Sequence, residues 1–184
     1  MLKRHTFIGC VACVLSMTIL TTLSHAQAIP TASRSSSIQV GVGGMVANPD
    51  YAQKYIKGLT FYGDFDFANN IGIEAEIHYS VLTPTDLSEN SYLVGPRYTV
   101  HHKRVGVYAK ALFGLGRFGT QEGSFPVIGS TSYLNYAFGG GLEYMVTPKI
   151  NIRPIDVEIQ KWPDFTPHTL SPVVYTFGVA YVFH

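Results

Sequence analysis

This 184-residue sequence predicts an all-β fold: a closed antiparallel up-and-down transmembrane β-barrel of about eight strands. Three observations predict it. The chain breaks into strand-length pieces in which apolar and polar side chains alternate with period two. The links between the pieces alternate in length, long then short. The last piece sets Val173, Tyr175, Phe177, Val179, Tyr181 and Phe183 on one face and mostly small residues on the other, so the aromatic row suits lipid.

The elements follow in order. Lys3 and Arg4 form a basic start, Phe7 to Leu23 is largely apolar, and Ser24-His25-Ala26 and Ala26-Gln27-Ala28 offer small residues for cleavage. Residues 1–28 therefore read as a secretory signal peptide, with cleavage after Ala26 or Ala28. The alternative is an uncleaved anchor, for which the apolar run is short. Cys10 and Cys13 are the only cysteines and lie too early in this segment to carry a lipid anchor. The exported chain thus has no thiol chemistry and no disulfide. Losing Lys3 and Arg4 leaves 11 basic against 12 acidic residues, a formal charge of −1. That balance argues against a nucleic-acid partner. Later in the chain, no stretch approaches the ~18 uninterrupted apolar residues of a helical span.

Residues 29–37 are a polar, Ser-rich spacer, and the barrel domain is expected over 38–184. The eight expected strands are Ile38–Val46, Gly58–Ala68, Asn70–Leu82, Asn90–His101, Arg104–Arg117, Tyr133–Val146, Ile150–Lys161 and Ser171–Phe183. Each reaches the ~9–11 residues that cross a bilayer at a tilt. In the second, Leu59, Phe61, Phe65 and Phe67 oppose Thr60, Tyr62, Asp64 and Asp66. In the third, Ile71, Ile73, Ala75, Ile77, Tyr79 and Val81 oppose Glu74, Glu76, His78 and Ser80. The fifth and sixth alternate in the same way. The seventh changes parity between Ile152 and Ile155, and Pro154, which lacks a backbone donor, marks an expected β-bulge there. With that bulge, Arg153, Asp156 and Glu158 share one face.

Short turns are expected at Asn69-Asn70, His101-His102-Lys103 and Thr147-Pro148-Lys149. Long links fall at Ala47–Lys57, Thr83–Glu89, Gly119–Ser132 and Trp162–Leu170. This pattern puts the short turns and both chain ends on the periplasmic side.

Tyr92-Leu93-Val94-Gly95-Pro96-Arg97-Tyr98, Phe138-Gly139-Gly140-Gly141-Leu142-Glu143-Tyr144 and Arg153-Pro154-Ile155-Asp156 resemble recurrent strands of the small outer-membrane β-barrel family. That family includes the eight-stranded membrane domain of OmpA. The likeness runs from about Ile38 to Phe183. It implies a bacterial outer-membrane location and outer-membrane lipid as surroundings. It leaves function open, because such barrels serve as structural proteins, adhesins, pores or enzymes. Thr176, Gly178, Tyr181 and Phe183 resemble the terminal-strand signal that the barrel-assembly machinery reads in that family, with His184 as a one-residue departure.

The strand charges fall on the inner parity: Asp64, Asp66, Glu74, Glu76, Arg97, Lys110, Glu143, Arg153, Asp156 and Glu158. An eight-stranded barrel is just wide enough for side chains to fill, so these charges are expected to pair as a plug. The other reading is a small pore with a cation-selective lining. His78 and Ser80 resemble the His-x-Ser pair of barrel lipid A deacylases. That match is two residues on the inner parity, without an orienting acid or oxyanion motif, and reads as a polar lumen pair. Adjacent His101 and His102 point apart on a strand, and His168 and His184 are isolated, so no metal site is expected. No cofactor is expected either. Trp162 is expected as a membrane anchor at the outer rim.

The function expected is therefore a structural or surface-interacting barrel with a mostly plugged lumen and no catalysis, with any extracellular ligand held at the long links. The alternatives are a small porin, a lipid-modifying enzyme and a soluble periplasmic ligand-binding barrel with inverted parity.

Overall fold

The computed structural model describes residues 37–50, 55–68, 70–82, 87–120, 129–165 and 168–183. The expected signal peptide with its cleavage sites at Ala26 and Ala28, the spacer up to residue 36, parts of the long links, Asn69 and His184 lie outside them. Eight strands run in chain order: β1 Ser37–Asn48, β2 Ile56–Asp66, β3 Ile71–Leu82, β4 Leu87–His102, β5 Val105–Thr120, β6 Gly129–Thr147, β7 Ile150–Lys161 and β8 Val173–Phe183. Each pairs antiparallel with its neighbour, and β8 returns to β1, from Ile38↔Phe183 to Asn48↔Val173, to close the barrel. Closure leaves no strand edge within the wall, which hydrocarbon requires because it offers backbone groups no partner.

The alternation in sequence becomes inside and outside. Outward Ile38, Leu59, Phe61, Ile73, Ile77, Phe113, Phe138, Phe177 and Val179 are exposed, while inward Gln39, Thr60, Asp64, Glu74, Glu76, Arg97, Lys110 and Asp156 are buried. An apolar exterior around a polar interior reverses a soluble ligand-binding barrel. At the closing seam, Gly43 faces Gly178, and a Cβ on Gly43 would lie 1.9 Å from the Phe177 carbonyl oxygen. Only a residue without a side chain fits this approach.

The bulge at Pro154 is present. The β7–β8 register shifts between Arg153 and Asp156, Pro154 and Ile155 both face out, and Arg153, Asp156 and Glu158 are buried. Three strands run three or four residues beyond an expected end. β4 starts at Leu87, β5 reaches Thr120 and β6 starts at Gly129. Residues 129–132 of β6 are exposed on both faces, so alternation there carries no apolar signal. Thr83–Glu89 and Gly119–Ser132 therefore shorten as links.

A charged lumen capped by an amide cluster

The lumen of the barrel is the candidate site, and it is built in layers. Nearest the short turns, Arg97 on β4 and Arg153 on β7 share three carboxylates. Arg97 reaches Asp64 at 2.7 Å, Glu143 at 2.7 Å and Glu74 at 3.5 Å. Arg153 reaches Glu74 at 2.9 Å, and Asp64 and Glu143 at 3.2 Å each. Both guanidinium groups lie over ring faces: Arg97 is 4.2 Å from the Tyr108 centroid and Arg153 is 3.8 Å from that of Tyr62. Such contact replaces part of the water an arginine loses on burial.

The next layer belongs to Lys110 on β5. Its Nζ lies 2.5 Å from Glu76, 2.8 Å from Asp156, 2.8 Å from Glu158 and 3.1 Å from Glu74. Glu74 and Asp156 touch both Lys110 and Arg153, so they join the two layers. The Tyr108 hydroxyl donates to Asp156. Isolated buried charges cost several kcal/mol each, and sharing every cation among several carboxylates offsets that cost.

Above Lys110 the chemistry turns to amides. The Gln160 carbonyl oxygen accepts from Ser91 at 3.0 Å, Asn135 at 2.9 Å and the Trp162 indole at 3.3 Å. An indole N–H only donates, so this fixes the amide orientation. The Gln160 NH2 then donates to His78 Nδ1 at 3.2 Å and to Glu158 at 3.2 Å. With Nδ1 accepting, the His78 proton sits on Nε2, 3.1 Å from Glu76. Two apolar groups are also buried in the interior: Met45, Ala47, Ile56 and Val174, and Leu93, Leu112 and Ala137.

Nine of the ten expected lumen charges meet in this network. Asp66 stands apart at the end of β2, half-buried, where the Ser37 hydroxyl donates to it at 3.3 Å. It has the inner parity but sits at the rim, beyond the reach of the lumen cations. Trp162 corrects an expectation. It is 0% exposed and no outer-rim anchor. The Trp162↔Leu170 bridge carries the β7–β8 ladder onward, so the indole keeps the inward parity of Gln160. Gly116 opposite makes room for it: a Cβ there would sit 2.5 Å from the ring. Tyr62, Tyr108, Gln160, Asn135 and Ser91 were not singled out from sequence, and their only signal was inner parity. His78 and Ser80 bond different partners, Ser80 donating to the Glu89 carbonyl while His78 bonds Gln160.

Glu76, His78 and Glu158, and separately Glu74, Glu76 and Asp156, lie close enough to hold one cation. The Lys110 ammonium already stands between these carboxylates. The His78 tautomer presents an N–H to Glu76 rather than a lone pair for a metal. Of the terminal-strand residues, Thr176 is buried, Gly178 packs against Gly43, and Tyr181 and Phe183 face out with their rings 4.8 Å apart.

A closed eight-stranded barrel, apolar outside and filled with ion pairs, defines a small outer-membrane barrel protein. The model of the Outer membrane protein beta-barrel domain family matches residues 14–183, and the chain belongs to that family. It is a protein of the bacterial outer membrane. Solved structures similar in fold include Neisserial surface protein A, with 15% identity, a TM-score of 0.63, and coverage of 80% of this chain and 97% of that one. Ail, the attachment invasion locus protein of Yersinia pestis, solved with the heparin analogue sucrose octasulfate, has 17% identity and a TM-score of 0.56, covering 82% of this chain and all (100%) of that one. The N-terminal barrel domain of Pseudomonas aeruginosa OprF has 13% identity and a TM-score of 0.51, covering 81% and 100%. No curated protein matches the chain in sequence.

Proposed function

We propose that this protein is a structural, surface-facing barrel without a conducting lumen or catalytic role, and that its long links hold any extracellular partner. The observation that carries this reading is the shared-cation plug, which draws on β2 through β7 and lies beneath the buried Trp162. The signal segment is lost on export by cleavage after Ala26 or Ala28, and N-terminal sequencing of the membrane-fraction protein reads this directly, an intact Met1 refuting it. The short turns face the periplasm, and the links around 47–57, 119–132 and 162–170 face outward.

Planar-bilayer recording tests the plug: the purified protein should show no steady unitary conductance. Reproducible single-channel steps would overturn it. Epitope tags test the orientation. Tags in the long links should label on intact cells, and labelling at Asn69 or Thr147 instead would invert it.

A further inference from the structure

The rim that carries the short turns is cationic. His101, His102, Lys103 and Arg104 are consecutive and exposed across the β4–β5 turn, and Lys149 is exposed in the β6–β7 turn. The turns are neighbours, because Met145 N donates to Arg104 O at 2.8 Å, four residues before Lys149. Among the described residues, no carboxylate pairs with Lys103, Arg104 or Lys149. The acid described at this rim, Asp66, is half-buried and held by Ser37 on the far side of the barrel.

Two further observations give this patch a partner. Just inside the rim stand outward aromatic rings: Tyr144 opposite Val105, Tyr181 opposite Ile150 and Phe183 opposite Ile38. Amphipathic rings at strand ends mark the headgroup level, so cations directly beyond them lie among lipid phosphates. Lys103 also has φ 57°, in the left-handed region. The first position of a two-residue hairpin turn with positive φ favours glycine. A glycine there would relieve the backbone and lose the charge.

We propose that Lys103, Arg104 and Lys149, flanked by His101 and His102, bind the phosphates of anionic glycerophospholipids in the leaflet at the short-turn rim. The inference rests on the orientation proposed above only in naming that leaflet periplasmic. A carboxylate-bearing wall polymer would also meet cations, but it would not use the aromatic belt beside them.

The test uses refolded protein in phosphatidylcholine vesicles with trace spin-labelled phosphatidylglycerol or spin-labelled phosphatidylcholine. Electron paramagnetic resonance reads the motionally restricted fraction of each. The wild type should prefer phosphatidylglycerol about two- to fivefold at low salt. The preference should fall towards one in 1 M salt, where the screening length is ~3 Å. The triple variant Lys103→Gly, Arg104→Gln, Lys149→Gln should fold and show no preference. Lys103→Gly alone should fold at least as well as wild type and lose part of the preference. The pair Lys57→Gln, Lys161→Gln, at the other end of the barrel, should keep it. A triple variant with undiminished preference overturns the proposal, as does loss of preference in the Lys57, Lys161 control. Co-sedimentation with purified sacculi that depends on the three residues, without a lipid preference, would assign the rim to the wall instead. Both vesicle leaflets have one composition, so this assay reads rim chemistry whatever the orientation, whereas surface labelling reads orientation alone.

Discussion

Lys110 shows how little slack the lumen has at the level of one residue. Glu74 and Asp156 also reach Arg153, and Glu76 also has His78, but among the described residues Glu158 has Lys110 as its one ion-pair partner. Removing one partner of a buried pair leaves an uncompensated charge, at about 3–5 kcal/mol. Lys110→Met should therefore destabilise the barrel by at least that much in urea titrations of vesicle-folded protein. Arg97→Met should cost less, because Arg153 still reaches Asp64, Glu74 and Glu143. Adding Glu158→Gln to Lys110→Met should recover part of the loss. A Lys110→Met barrel as stable as wild type would show that the ammonium does not hold the network.

Each strand reports its faces to the degree that its surroundings differ. β2 and β3 have lipid on one side and the plug on the other, so their alternation was legible in sequence. The bulge was legible too, because Pro154 falls where apolar parity changes. The upper part of β6 was not, because both its faces are wet and Gly129 to Ser132 carry no contrast. Trp162 was misread because link residues have no assigned parity until pairing with Leu170 supplies one. Partners within the plug were equally hidden, since Arg153 and Asp64 are 89 residues apart and only closure brings them together. On β8, Val179→Arg should cost roughly 2–4 kcal/mol, as a cation facing lipid near the midplane. Read by heat-modifiable mobility after folding into lipid vesicles and by assembly in cells, Phe183→Ala should impair assembly in cells more than folding in vitro, as the proposed terminal signal requires. Wild-type behaviour of Val179→Arg in both settings would refute the lipid-facing assignment.

The network takes side chains from six strands, β2 to β7, so no part of the sheet can satisfy its own charges. An open sheet would present them to hydrocarbon, while the closed barrel pairs them. Unfolding should therefore be all-or-none. Trp162 fluorescence, reporting the cap, and circular dichroism, reporting the wall, should change at one coincident denaturant concentration. Two separated transitions would mean that the cap opens before the wall. The wall is also uneven. β4, β5 and β6 have 16, 16 and 19 residues, whereas the other strands have 11 or 12. β6 runs from Gly129 to Asn135 beyond its last pairing with β7, at Tyr136↔Lys161. At ~3.3 Å per residue and a ~40° tilt, this lifts the upper end of β6 some 15–20 Å above its last pairing with β7. Height decides what reaches a surface crowded by sugar-bearing lipid. A bulky probe such as an antibody should find the exposed upper end of β6, at Gly129 to Ser132, while the lower-lying end of β1 at Asn48 answers only to small reagents.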